Sequence, residues 1–219
     1  MKKILLIVSG SFCFALNISA QFNSTEYDFR GVSDNTITTV GTRFFGPWAK
    51  GKVVFLDRVA DDPKYFFNYD KVKNAVLYAV DTTKAFELVP DSIISFSLYG
   101  SNGAVVFDRF PSIQGAPFFQ ELVKDNSYSL YKGVVTTYIK ADFKTNGIVE
   151  SGNNYDEYSD KFLYFILFPN RELKQVQLKK KSIKEVFSGV PAADDYLSHH
   201  NGSIDENYLI EMVKALDKK

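Results

Sequence analysis

Three textures of apolar and polar residues follow one another along the 219-residue chain. From Ile4 to Leu16 the chain is an almost uninterrupted apolar run, too short to cross a membrane as a helix. Residues 21–40 then mix Asn, Ser, Thr and Asp with scattered apolar positions and follow neither a period of 2 nor one of 3.6, so they read as a flexible lead-in, with a first strand at most over Thr36 to Val40. From Gly41 onward short β-branched and aromatic runs alternate with turn residues, which predicts strands. The runs are Lys52 to Asp57, Tyr65 to Tyr69, Ala75 to Val80, Ala85 to Val89, Ile93 to Leu98, Ala104 to Phe110, Phe118 to Val123, Ser127 to Lys132, Val134 to Ala141, Phe162 to Phe168 and Glu172 to Lys179.

The joints between these runs carry turn chemistry. Gly100-Ser101-Asn102-Gly103 and Asp125-Asn126 tolerate positive φ, and Pro169-Asn170 stops the run before it. Successive hairpins imply antiparallel pairing in sequence order, and no long helical pattern separates the strands to suggest parallel crossovers. Residues 145–160 (TNGIVESGNNYDEYSD) are polar and read as a mobile surface loop. After Lys181 the punctuation becomes helical. Ser182 with Glu185, and Ser203 with Glu206, have the spacing of capping boxes, and a short helix over Ala192 to His200 lies between them. Leu209, Met212, Val213 and Leu216 then fall at i, i+3, i+4 and i+7 of an amphipathic helix. The expectation is a mainly β (α+β) fold: an antiparallel β-meander sheet or partly open barrel with short C-terminal helices packed on it. In domain terms, residues 1–20 are a signal peptide, 21–40 a lead-in, 41–181 the β domain and 182–219 a helical segment of the same domain.

The signal-peptide reading rests on Lys2 and Lys3 before the apolar run and on small Ser19 and Ala20 before Gln21. It implies export to the periplasm or the cell exterior, as a soluble product that begins at Gln21 and is not membrane-spanning. Cys13, the single cysteine, lies within that segment behind the bulky Phe12, which disfavours a lipid anchor there. The mature chain then has neither disulfides nor thiolate chemistry. It carries 24 basic and 26 acidic side chains, a net charge of −2, which gives no reason to expect nucleic acid as a partner. The 20 Phe and 13 Tyr favour pleated, half-buried surfaces, and 199 residues suffice for one domain with a sizeable core.

Candidate chemistry is sparse. His199 and His200 are adjacent, so on a helix they point about 100° apart and do not readily share one metal ion. The acidic pairs Asp61-Asp62, Asp156-Glu157, Asp194-Asp195 and Asp205-Glu206 sit in loops or at helix starts, where such residues are common. No nucleophile elbow, phosphate loop, zinc-protease helix or dinucleotide fingerprint occurs. Lys179-Lys180-Lys181 reads as a solvated face that blunts a strand edge. Tyr65, Phe66, Phe67, Tyr69 and Tyr78 offer a stacking platform only if the core does not consume them. Tyr155 and Tyr158, among hydrated neighbours, are the aromatic residues best placed to contact a ligand. No cofactor is implied.

Short stretches resemble a group of exported β-rich proteins of Bacteroidota for which no activity is established. The Ala20-Gln21 junction is similar to their cleavage sites, and Gly41-Thr42-Arg43-Phe44-Phe45 with Trp48 and Gly51-Lys52-Val53 looks like their opening motif, with Arg43 in place of a proline. Phe119 to Val123 with Tyr128 to Lys132 resembles their aromatic and leucine strand pair, and Leu163-Tyr164-Phe165 through Glu185 resembles their last hairpin and following helix. The resemblance implies a β-rich envelope protein with a helical C-terminus and transfers no catalytic residues. Two function classes follow. The first is a non-enzymatic envelope or secreted module that binds an envelope component, protein or glycan. The alternative is a small envelope-polymer hydrolase whose carboxylate pair only the fold would bring together.

Overall fold

The computed structural model describes residues 24–26, 38–81, 84–113 and 118–217. Residues 1–20, read above as a signal peptide, and most of the expected lead-in lie outside them. In chain order the strands begin with β1 (Ser24–Glu26), β2 (Thr39–Val40), β3 (Lys50–Phe55), β4 (Val59–Ala60), β5 (Phe66–Asp70), β6 (Ala75–Ala79) and β7 (Ala85–Leu88). A 3-10 turn over Pro90–Ser92 leads into β8 (Ile93–Gly100), β9 (Gly103–Arg109), β10 (Phe118–Lys124) and β11 (Ser129–Ile139). Then come β12 (Lys144–Thr145), β13 (Glu150–Ser151), β14 (Asp156–Leu167) and β15 (Leu173–Val176), followed by helices α1 (Lys180–Val186), α2 (Pro191–Ser198) and α3 (Glu206–Leu216).

The fold is mainly β, as the alternation predicts. It holds two principal sheets that are not closed into a barrel. The large sheet runs β15-β14-β11-β10-β9-β8-β3-β4, so β8 to β11 and β14 to β15 pair in sequence order as a meander. A smaller sheet, β1-β7-β6-β5, takes β5 to β7 from an excursion between β4 and β8 and β1 from the start of the described chain, and one pairing, β2 with β14, is parallel. Residues directly opposite one another in paired strands project to the same face. The registers therefore define one row across the large sheet: Val53, Phe96, Phe107, Gln120, Lys132, Tyr164 and Val176.

Two covers share that face. Val53, Phe96 and Phe107 pack with Phe67, Tyr69 and Val76 of the smaller sheet. Tyr164 and Val176 pack with Ile183, Phe187, Leu197, Leu209, Met212 and Val213 of the helices. A bulge in β10 between Glu121 and Val123 inserts one extra residue, which brings Val123 opposite Leu130 and turns it toward the helical cover. On the other face Phe119, Tyr131 and Phe165 form a small cluster under Phe110 and Ile113.

The helix starts depart from the capping boxes expected of them. Helix α1 begins after Lys179 with no side-chain cap, and the Ser182 hydroxyl instead accepts a hydrogen bond from the Gln177 amide at 3.0 Å. Helix α3 is capped by Asp205, whose carboxylate accepts from the Tyr208 amide at 2.8 Å. Asp is as good an N-cap as Ser, and it stands two residues closer to the periodic apolar residues. At the other end of α3 the Asp217 carboxylate accepts from the amides of Ser127 at 2.7 Å and Asn126 at 3.2 Å, and these bonds hold its pKa below the usual carboxylate range. A depressed carboxyl stabilises the fold above its unfolded pKa of about 3.9 and loses that contribution as pH falls through its folded value. Asp217→Asn is expected to melt below the parent at neutral pH, with the gap closing under acid. Equal melting at pH 7 would show that this tie holds nothing.

Candidate functional site

Between the two covers the row across the large sheet is left open, and there it turns polar. Gln120 and Lys132 occupy the middle of a row whose other members are apolar or aromatic. With Phe45, Lys71, Phe107, Phe118, Val134, Asp160 and Phe162 they line a cleft of about 200 Å³. Its floor is rigid. Phe107 stacks on Phe96 at 4.5 Å between ring centres and meets Phe45 edge-on at 4.8 Å, and Phe118 stands edge-on to Phe96 at 5.4 Å. Such interlocked rings leave a preformed apolar wall.

Each cover contributes one charged contact to the rim. The smaller sheet supplies Lys71, first residue of the β5–β6 turn, whose ammonium donates to Asp160 at 2.6 Å. The helices supply Glu206, the first residue of α3, which pairs with Lys132 at 2.6 Å and accepts from the Tyr164 hydroxyl at 2.7 Å. Burial and that hydrogen bond push the Tyr164 pKa up. Asp160 also accepts from the Thr136 hydroxyl at 2.5 Å, so both its oxygens are engaged. The Lys132 ammonium lies 4.1 Å from the centre of the Phe162 ring, itself 47% exposed at the mouth. The Lys71 side chain is only 7% exposed.

The polar stretch 145–160 is not a long loop. Residues Glu157 to Asp160 extend the β11–β14 hairpin opposite Ile139 to Thr136, and β12 and β13 form a small hairpin of their own. Tyr158 is therefore a strand residue. It lies directly opposite Tyr138, with ring centres 5.1 Å apart, and is half-buried. It shares the cleft's face of the sheet and stands about 7 Å further along the strand than Asp160. Tyr155, just before the strand, is half-buried too and makes no hydrogen bond or ring contact with the described residues. Asp156 explains the order here. Its carboxylate accepts from the Ala141 amide at 2.8 Å and the Tyr138 hydroxyl at 2.6 Å, which lowers its pKa and pushes that of Tyr138 up to about 12. Among the residues that project, Ile148 is 92% exposed at the tip of the β12–β13 turn.

The other candidate groups disperse. Phe67 and Tyr69 are core, and Tyr65 and Tyr78 pack on each other at 5.4 Å, so no exposed aromatic platform remains there. The His199 ring contacts the Asp195 carbonyl, whereas the His200 ring lies against Tyr208 at 4.0 Å. Among the described residues no group of three His, Cys, Asp or Glu is arranged to hold a metal ion. Among the described residues three carboxyl groups leave their usual pKa range, Asp62, Asp156 and Asp217, and all move down, the direction of acceptors and not of general acids. A larger, open groove of about 530 Å³ lies on the opposite face, where Asp108 accepts from Tyr131 and pairs with Lys124, and Arg109 pairs with Asp91.

Sequence reasoning on local motifs missed Lys71, Gln120, Lys132 and Asp160. One signal was present: Lys132 alternates with Leu130 and Val134, and Gln120 follows Phe118 at the same spacing, so each is a polar residue on the inward side of a strand. Comparison of the chain with family models, curated proteins and solved structures gave no match, and the arrangement of the site is the evidence for its role.

Proposed function

We propose that this chain is an exported, non-enzymatic binding module that holds a small, mainly apolar ligand in the cleft between its two covers. The observation that carries this reading is the break in the row across the sheet: an apolar wall fixed by interlocked rings, with polar side chains only where both covers stop. Ligand sites in general combine apolar walls with a few placed polar groups, often where structural units meet. Asp160 is the single carboxylate in the cleft lining, and Lys71 and Thr136 already occupy it. Hydrolysis of a glycosidic bond calls for two carboxyl groups facing each other, so the arrangement favours binding over the hydrolase alternative. The half-buried Tyr158, further out on the same face, extends the contact surface for a larger envelope component.

Titration of the isotopically labelled protein with a panel of phenyl-bearing compounds tests this reading by amide chemical shifts. Perturbations are expected to concentrate on β9, β10, β11, β14 and the β5–β6 turn. Val134→Phe, which puts a larger side chain on the cleft floor, should abolish them and still show a cooperative melt. Perturbations centred elsewhere, or unchanged in the filled variant, would remove the cleft from consideration.

A further inference from the structure

The polar groups in the cleft are unequal in what they have left to offer. Lys71 has three N–H donors and, among the described residues, one side-chain partner, Asp160. Its side chain is 93% buried by the complement of its exposure, so its other two donors point into protein or into the cleft, and it lines the cleft. The Gln120 amide also lines the cleft and has no protein partner among the described residues. Lys132, held by Glu206 on one side, keeps further N–H donors. The one carboxylate of the lining, Asp160, already accepts a hydrogen bond at each oxygen, which leaves the Gln120 carbonyl as the neutral acceptor beside these donors. The two ammonium groups of the lining are each held by one carboxylate, Lys71 by Asp160 and Lys132 by Glu206, so the formal charges balance and the spare N–H donors remain.

On the reading of the cleft as a binding site, we propose that its ligand is a monocarboxylate with a compact apolar body. The carboxylate takes the spare donors of Lys71 and Gln120, and the body lies against Phe107, Phe118, Val134 and Phe162. The spare donors set the sign of the head group: an anion accepts from ammonium and amide N–H groups already aimed at the cleft, whereas a cationic head would meet Lys71 and Lys132 at close range. Size agrees. An apolar cavity of about 150 Å³ admits a benzene molecule, so about 200 Å³ has room for one ring or short branched chain together with a carboxylate. Burial of Lys71 makes its hydrogen bond to an anion stronger than the same contact at a wet surface. The pairing of Lys71 with Asp160 holds the ammonium in place before the ligand arrives, which removes part of the ordering cost.

Three probes of one shape separate the head group from the body: 3-phenylpropionate, 3-phenylpropionamide and 3-phenylpropylamine, titrated calorimetrically into the full mature chain. The acid is expected to bind about tenfold tighter than the amide, the worth of one charge-assisted hydrogen bond, and the amine weakest of all. Lys71→Met strands Asp160, so it is combined with Asp160→Asn, and a thermal melt confirms that the double variant folds. In that variant the acid and the amide should bind alike, with the affinity for the amide within about threefold of the parent. Gln120→Leu should weaken acid and amide together. If the parent binds all three probes equally, the cleft stands as an apolar site and the carboxylate inference is overturned. A preference for the acid that survives loss of Lys71 overturns it as well. If no probe binds the parent, the cleft reading fails and this inference with it.

Discussion

Removal of residues 203–219 is expected to leave a chain that does not fold. Leu209, Met212 and Val213 are fully buried in α3 and Leu216 is 8% exposed, all against Val123, Leu130, Tyr164 and Ile166 of the large sheet or against α1 and α2. Burial of such side chains contributes roughly 1.5 to 3 kcal/mol each, an upper bound because unfolded chains are partly compact. Four of them together rival the net stability of a whole domain, about 5 to 15 kcal/mol. The deletion also takes away Glu206, which pairs with Lys132, and Asp217, which ties the β10–β11 turn. The truncated chain should be recovered as aggregate or lack a cooperative thermal transition. A truncated product that melts with the parent would make α3 an appendage and put its apolar face at the disposal of a partner. Met212→Asp, which leaves the chain length intact, should reproduce the loss, since it buries an unpaired charge.

Helix α3 was legible because its stabilising pattern is local: four apolar residues on one stripe depend on nothing outside the helix. The strands were legible for the same reason, since a period of 2 marks a half-buried strand wherever it ends up. Sheet membership was not. Phe66 to Asp70 and Ala75 to Ala79 read no differently from Ile93 to Gly100, yet they fold over the large sheet instead of joining it, and only the pairings of Phe67 with Ala49 and Asp70 with Phe44 reveal it. The segment 145–160 misled because its polar residues are satisfied at a distance. Asp156 is buried with bonds to Ala141 and Tyr138, and the more exposed Asp160 is held by Thr136 and Lys71, partners that no local window contains. The cleft is a sum of such distant meetings. Its lining comes from positions 45 to 162, and what the sequence shows of it is only a glutamine and a lysine at inward strand positions.

Asp70→Ala should be the most damaging single substitution near the cleft. The Asp70 side chain is fully buried at the end of β5. One carboxylate oxygen accepts from Arg43 at 2.7 Å; the other accepts from the amides of Val72 at 3.0 Å and Lys73 at 3.1 Å, which closes the turn that ends at Asn74 with φ of 54°. The same turn carries Lys71, whose amide donates to the Arg43 carbonyl at 2.8 Å and whose ammonium reaches Asp160. Loss of the carboxylate therefore takes the 2.7 Å ion pair from a guanidinium that is 16% exposed, releases two turn amides and loosens the residue that faces the cleft. Removal of one partner of a buried ion pair costs about 3 to 5 kcal/mol, because the other charge stays buried without compensation. Asp70→Asn keeps an oxygen for the turn amides and loses only the charge, so its cost should be smaller. Urea unfolding of both variants is the measurement, with the midpoint ordered parent, Asn, Ala. If Asp70→Ala costs less than about 1 kcal/mol, the value of an exposed pair, then the Arg43 to Asp70 tie does not anchor the smaller sheet.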